Sequence, residues 1–297
     1  MPTYFILPSP EQPRCAPLTL TRKIGDFPLA LVSLRSHQDL LLQNLGLEPA
    51  TQIETAELVI QAAAWLEKAD IELFLKDPTA KLLQDAQGHE ILRHQGTRTT
   101  TLVATQSFYI LYPWHILQAH ERALKIKTVY TQATTSTQVY VDGRLQYGAG
   151  TVFLPGVVIE GDVVIGENCK IGPNCYIRGA TTIGNRCHVG NAVEIKNSLL
   201  LDDTNVGHLS YLGDSILGQK VNLGAGTITS NLRHDGLTHR SAVTGELVNT
   251  GRRKFGAILG DGVRTGIHTS IYPGRKIWPH LTTRPGDIVQ QDLTPHS

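Results

Sequence analysis

The chain has 297 residues, 41% of them hydrophobic, with 27 Lys and Arg against 26 Asp and Glu. That length allows two domains and a sizeable core. The near-neutral balance supplies no global field to gather nucleic acid or an anionic membrane, so any anionic ligand must be met by a local cluster. No apolar run is long enough to cross a bilayer, and the N-terminus lacks a charged segment followed by an apolar stretch. A cytoplasmic protein with neither membrane nor nucleic-acid partners is the expectation.

Residues 1–135 read as a small α/β domain. Tyr4 to Leu7 and Leu29 to Leu34 look like short strands, and Ser36 to Leu45 like a helix. Thr55 to Ala69 carries apolar residues at Leu58, Ala62, Trp65 and Leu66, a helical spacing. Ile71 to Leu75 and Thr100 to Gln106 read as further strands. The polar stretch Thr131 to Gln138 looks like a linker.

From about Tyr140 the pattern changes, and 140–297 reads as one domain. Phe153, Ile159, Ile165, Ile171, Ile177, Ile183, Val189, Ile195 and Leu201 recur every six residues. Helices repeat near 3.6 and strands near 2, so an unbroken six predicts a hexapeptide β-solenoid. A second inward position holds smaller residues: Val157, Val163, Cys169, Cys175, Thr181, Cys187, Val193 and Leu199. One coil cannot bury its own apolar side, so coils must stack. The count slips to five from Leu201 to Val206 and from Leu212 to Leu217. It returns at Leu223, Leu259, Ile271, Ile277 and Val289. Cys169, Cys175 and Cys187 share a phase with Thr181 and Val163, which favours corner filling over a metal or disulfide cluster.

Certain blocks are more specific than the repeat. Arg178-Gly-Ala, Gly190-Asn-Ala-Val-Glu-Ile-Lys196, Gly207-His-Leu-Ser-Tyr-Leu-Gly-Asp214 and Val221-Asn-Leu-Gly-Ala-Gly-Thr-Ile-Thr-Ser-Asn231 occur in order. Over roughly 150–290 the chain resembles the acetyltransferase half of the bifunctional N-acetylglucosamine-1-phosphate uridylyltransferase / glucosamine-1-phosphate N-acetyltransferase family. Asn231-Leu-Arg-His-Asp-Gly and Gly251 to Gly266 look most like its archaeal branch. The resemblance implies a mainly β fold, a left-handed parallel β-helix, and a homotrimer with active sites between subunits. It also implies acetyl transfer from acetyl-CoA to the amine of glucosamine-1-phosphate, as a step toward UDP-GlcNAc, with no metal. The front half lacks the glycine-rich nucleotide loop of that family. Ala16 to Arg22 and Tyr112 to Ile116 are similar to pieces of divergent sugar nucleotidyltransferase-like proteins, so residues 1–135 read as a shortened domain without uridylyl transfer that caps the solenoid.

The resemblance also implies roles. His208 matches the catalytic base, a task suited to an imidazole near neutral pH. Arg178 and Lys196 match a phosphate-binding pair, and Tyr211 a further phosphate contact. Asn222 and Asn231 match sugar-contacting amides, and the Ala225 amide matches the thioester contact. Leu237 stands where a family lysine is expected, with Arg240 as its substitute, and Ile267 stands where a serine contacts the acetyl group. The cluster Arg252, Arg253 and Lys254 is a candidate contact for coenzyme A phosphates or for the sugar phosphate. Galactosamine-1-phosphate is the alternative acceptor, and a non-catalytic hexapeptide module is the alternative of another class.

Overall fold

The computed structural model describes residues 1–126 and 139–295, so the linker read over 131–138 and the boundary near 135 lie outside the described residues. The chain forms two compact units. One comprises Met1–Gln12, Arg22–Pro28 and Val32–His115; the other comprises Pro13–Thr21, Leu29–Leu31 and Ile116–Ser297. The second unit therefore takes in three segments that precede the solenoid in sequence.

In the first unit, strands at 48–49, 3–6, 58–60, 90–94, 80–84 and 100–103 lie side by side in that order. Helix α1 (Leu34–Asn44) is capped by Ser33, whose hydroxyl accepts from the Ser36 amide at 3.1 Å. Two sequence expectations fail here. Leu58–Ile60 is a strand, not part of a helix, and Ala64–Trp65 is a second short strand. All three residues of Leu58-Val59-Ile60 are buried between the strands at 3–6 and 90–94. A short apolar run buried on both faces belongs to a central strand, and tertiary packing overrides the helical spacing. Ile71 to Leu75 lies inside helix α2 (Lys68–Lys76), with Ile71 and Phe74 buried on one side. Asp70, in the first turn of α2, accepts from the backbone amides of Thr105, Gln106 and Ser107. Burial alone would raise its pKa; those donors hold it below the ordinary carboxylate value.

The second unit is mainly β, a solenoid whose stacked strands are parallel, with one antiparallel hairpin at 240–243/246–249. Its first face stacks 152–153, 170–171, 188–191, 205–208 and 222–223. The second stacks 157–159, 176–178, 194–196, 211–213, 228–229, 270–271 and 288–289. The third stacks 163–165, 181–183, 199–200, 216–217, 258–259 and 276–277. The predicted residues form the core: Ile159, Ile165, Ile171, Ile177, Ile183, Val189 and Ile195 are each 0% exposed. The cysteines fill corners. Cys169 and Cys187 are buried thiols that donate to the carbonyls of Gly184 and Leu201, and Thr204 makes the same bond to Gly218.

The register differs from the sequence reading at one place. Ile183 stacks on Leu200, not Leu201, so the first five-residue step lies between Ile195 and Leu200. Ser198 takes the inward corner expected for Leu199: its amide faces Thr181 Oγ1, while Leu199 stacks outward on Thr182. Simple counting is blind to this because Leu199, Leu200 and Leu201 are all leucine. The second short step, Leu212 to Leu217, lies where the spacing predicts. Both short steps therefore fall at the same corner, between the second and third faces. Buried serines close them: Ser198 Oγ accepts from the Ser215 amide, and Ser215 Oγ from the Ala257 amide.

Helix α3 (Pro113–Ile126) presents Ile116, Leu117, His120, Ala123 and Leu124 as a buried stripe. It is tied to that short-step corner, because His120 Nε2 donates to the Ala180 carbonyl at 3.2 Å. The outward row of the third face, Val164, Thr182, Leu199 and Ile216, is at most 1% exposed. Outward side chains of a bare coil would be wet, so this face is covered.

Candidate active site

At the end of the second face, Arg178, Lys196 and Gly213 lie in register on successive coils. Gly213 leaves a gap in the row. A Cβ there would come within 2.5 Å of both the Tyr211 hydroxyl and Asn231 Nδ2, so these two groups occupy the space a side chain would fill. Asn231 Nδ2 donates to the Tyr211 hydroxyl at 3.2 Å and to Asp214 Oδ2 at 2.6 Å. Asp214 is 3% exposed and sits 3.9 Å from Lys196 Nζ. Arg178 is held by Glu194, with Nε at 2.9 Å and Nη2 at 2.7 Å from one carboxylate oxygen. That pairing raises its already high pKa.

The charges at this corner do not balance. Arg178 is matched by Glu194, and Arg252 by Glu121 on α3 at 2.5 Å. Lys196 faces Asp214, and the Lys254 amine lies beside Lys196. Burial, and next the Lys254 amine beside it, lower the Lys196 pKa from its ordinary value, while Asp214 pulls the other way. Two cationic side chains pressed together on a partly buried shelf favour an anionic ligand.

The residues expected at the site fall into three groups. Arg178, Lys196, Tyr211, Asn231 and Lys254 converge at the end of the second face. His208 lies at the corner entering that face, exposed, with its carbonyl accepting from the Gly226 amide at 3.1 Å. Ala225 is in the same stack; its carbonyl accepts from His268. Beside His208 runs a row of Gly190, Gly207, Gly224 and Gly266. A Cβ at Gly190 would collide with the Gly207 backbone and one at Gly224 with Gly266, so the coil edge there is bare backbone. Asn222 is exposed on the first face, between Asn205 and Arg264. Arg240 and Arg253 are elsewhere. Arg240 lies in the hairpin 240–243/246–249, with its carbonyl accepting from Arg275, and Arg253 braces the Gly236 carbonyl at 3.1 Å. Leu237 and Ile267 are exposed, at 62% and 50%.

The sequence reading missed three participants, Glu121, Asn197 and Asp214, and it cast Arg252 as a phosphate contact, whereas its guanidinium pairs with Glu121. Asn197 Nδ2 donates to Glu121 at 2.8 Å and to Asp214 Oδ1 at 2.9 Å. The paired five-residue steps were the available signal, since Asn197 and Asp214 are the corner residues of those two steps, each at positive φ. A recess of about 520 Å³ is walled by Ser230, Leu232, Arg233 and Tyr272, and no residue of the cluster lines it.

Comparison with known proteins places this half of the chain. Residues 149–283 match the family described as the GMPPB C-terminal domain. Over 102 residues the chain is 43% identical to the bifunctional sugar-1-phosphate nucleotidylyltransferase/acetyltransferase of Sulfurisphaera tokodaii, covering 34% of this chain and 25% of that one. Over 241 residues it is 33% identical to the bifunctional protein GlmU of Methanococcus maripaludis, covering 80% and 55%. The solenoid half is a relative of the bifunctional GlmU proteins. The resemblance read from the His208 and Asn231 blocks is thereby borne out, archaeal relatives included. The chain spans about half or less of the length of these GlmU relatives. Among solved structures, a mutant of perosamine N-acetyltransferase from Caulobacter crescentus, in complex with CoA and GDP-perosamine, is 13% identical. It covers 95% of this chain and 91% of that chain, with a TM-score of 0.22, a level that carries no argument about ligands here.

Proposed function

We propose that the second unit is an acetyl-CoA-dependent amino-sugar-1-phosphate N-acetyltransferase whose acceptor is glucosamine-1-phosphate. The observation that carries this reading is the unbalanced pair Lys196 and Lys254 beside the hydroxyl and amide of Tyr211 and Asn231. A sugar phosphate is a dianion with hydroxyls, and this corner offers cations and neutral donors together. The names of the GlmU relatives give independent support.

In the proposed reaction the sugar's neutral 2-amine attacks the thioester carbon. The new C–N bond forms as the C–S bond breaks, and the sulfur leaves as the thiol of coenzyme A. His208 accepts the proton that the amine must shed, and its open corner leaves room for both reactants. The bare glycine row lets an extended chain lie against backbone amides, and the reading assigns the Ala225 N–H to the thioester oxygen. His208 and the cation cluster occupy opposite edges of one coil face. A homotrimer, with a neighbouring solenoid packed along the first and second faces, would close the space between those edges.

The test is release of free thiol from acetyl-CoA. Turnover is expected with glucosamine-1-phosphate and not with serine or tetrahydrodipicolinate. Absence of turnover, or equal rates with all three acceptors, overturns the reading.

A further inference from the structure

A hydrogen-bonded chain runs from α3 into the cation cluster. The Glu121 carboxylate accepts from Arg252 Nη2 at 2.5 Å, Arg252 Nη1 at 3.2 Å and Asn197 Nδ2 at 2.8 Å. Each ends at a wall of the site. Arg252 Nε also donates to the Lys254 carbonyl at 3.3 Å, so the Glu121 pair fixes the segment that carries Lys254. Asn197 spends its two amide hydrogens on Glu121 and Asp214, and Asn231 spends its two on Asp214 and Tyr211. Three side chains, Asn197, Asp214 and Asn231, thus link Glu121 to the Tyr211 hydroxyl. Glu121 is also one side chain from Lys254.

The seat for α3 is made by the chain itself. Both one-residue shortenings of the coil fall at the corner carrying Asn197 and Asp214, and α3 is anchored at the same corner through the Ala180 carbonyl. A scaffold that needed only to be covered there could use apolar contacts. A largely buried carboxylate is costly unless its donors are in place. Here three donors are in place. Burial alone would raise the Glu121 pKa, and the bonds from Arg252 override it and hold it low.

We propose that Glu121 is a positioning residue of the sugar-phosphate site, which makes α3 a working part of the transferase. The proposal rests on the acetyl-transfer reading above and deepens it. Positioning and bare electrostatics have opposite signs here. Glu121→Gln removes a negative charge near an anion site, so by charge alone phosphate binding tightens. If Glu121 positions Lys254, Asp214 and Asn231, binding weakens.

The experiment uses the full chain. In Glu121→Gln, the KM for glucosamine-1-phosphate is expected to rise about tenfold, with the KM for acetyl-CoA within about twofold. Glu121→Asp, which keeps the charge but shortens the reach to Arg252 and Asn197, should show the same pattern, and it serves if Glu121→Gln does not fold. A KM for the sugar phosphate that is unchanged or lower overturns the proposal. A second measurement needs no turnover. Amide hydrogen exchange over Gly251–Lys254 and Asn231 should quicken in either variant while that of Ile177–Ile183 does not; unchanged exchange there also overturns it. Wild-type inactivity would count against acetyl transfer, and the exchange result would still decide the role of Glu121.

Discussion

Replacing His208 with Ala is expected to lower kcat for acetyl transfer by about 10²–10⁴-fold, the usual worth of a positioned general base. The amine cannot complete its attack without losing a proton, and an imidazole suits that task near neutral pH. The side chain is exposed and the Gly207 position has open space around it, so the loss should not reflect misfolding. The KM for the sugar phosphate should change little, because the cations assigned to the phosphate lie at the other edge of the face. Thiol release at several pH values checks this. A variant retaining more than about a tenth of the wild-type rate removes His208 from the role of base.

Acid is expected to destabilise the second unit through His120. This residue is 0% exposed on α3, and burial lowers its pKa to about 4. Nε2 donates to Ala180, which fixes the neutral tautomer, and Nδ1 has no hydrogen-bond partner among the described residues. A second proton would sit on that bare nitrogen. The unfolded chain takes this proton near pH 6.5 and the folded chain does not until about pH 4. Above pH 6.5 the contribution to stability is complete; it is lost as pH falls from 6.5 to about 4, by about 3 kcal/mol in all. Thermal unfolding at pH 7.5 and 4.5 reads it out. His120→Gln, which can still donate to Ala180, should lose less stability across that interval than the wild type. Parallel losses in the two proteins contradict the assignment.

The solenoid was legible because its rule is local. Every sixth residue points inward, and the same side chains recur where the structure stacks them, as with Ile177 on Ile159 and Ile195 on Ile177. The rule blurred only where three leucines in a row offered more than one register. The front half was less legible for a physical reason. Leu58, Ala62, Trp65 and Leu66 have helical spacing, yet Leu58–Ile60 is claimed by a central strand whose partners lie more than thirty and fifty residues away. The candidate site shows the same division. His208, Tyr211, Asn231, Arg178 and Lys196 were visible as short blocks. Glu121 was not, since its partners Asn197 and Arg252 lie 76 and 131 residues further along the chain. No local pattern marks a carboxylate whose purpose depends on so distant a corner. Arg240 was chosen to replace a charge missing at Leu237; it lies in the hairpin 240–243/246–249, with its carbonyl accepting from Arg275.

The most direct measurement is a crystal structure of the protein with coenzyme A and glucosamine-1-phosphate bound together. The account expects the phosphate on Lys196 and Lys254, with Tyr211 and Asn231 in contact with the same ligand. It also expects the sugar's amine within hydrogen-bond reach of a His208 imidazole. A phosphate bound away from both lysines, or an amine that no His208 in the assembly can reach, would contradict it.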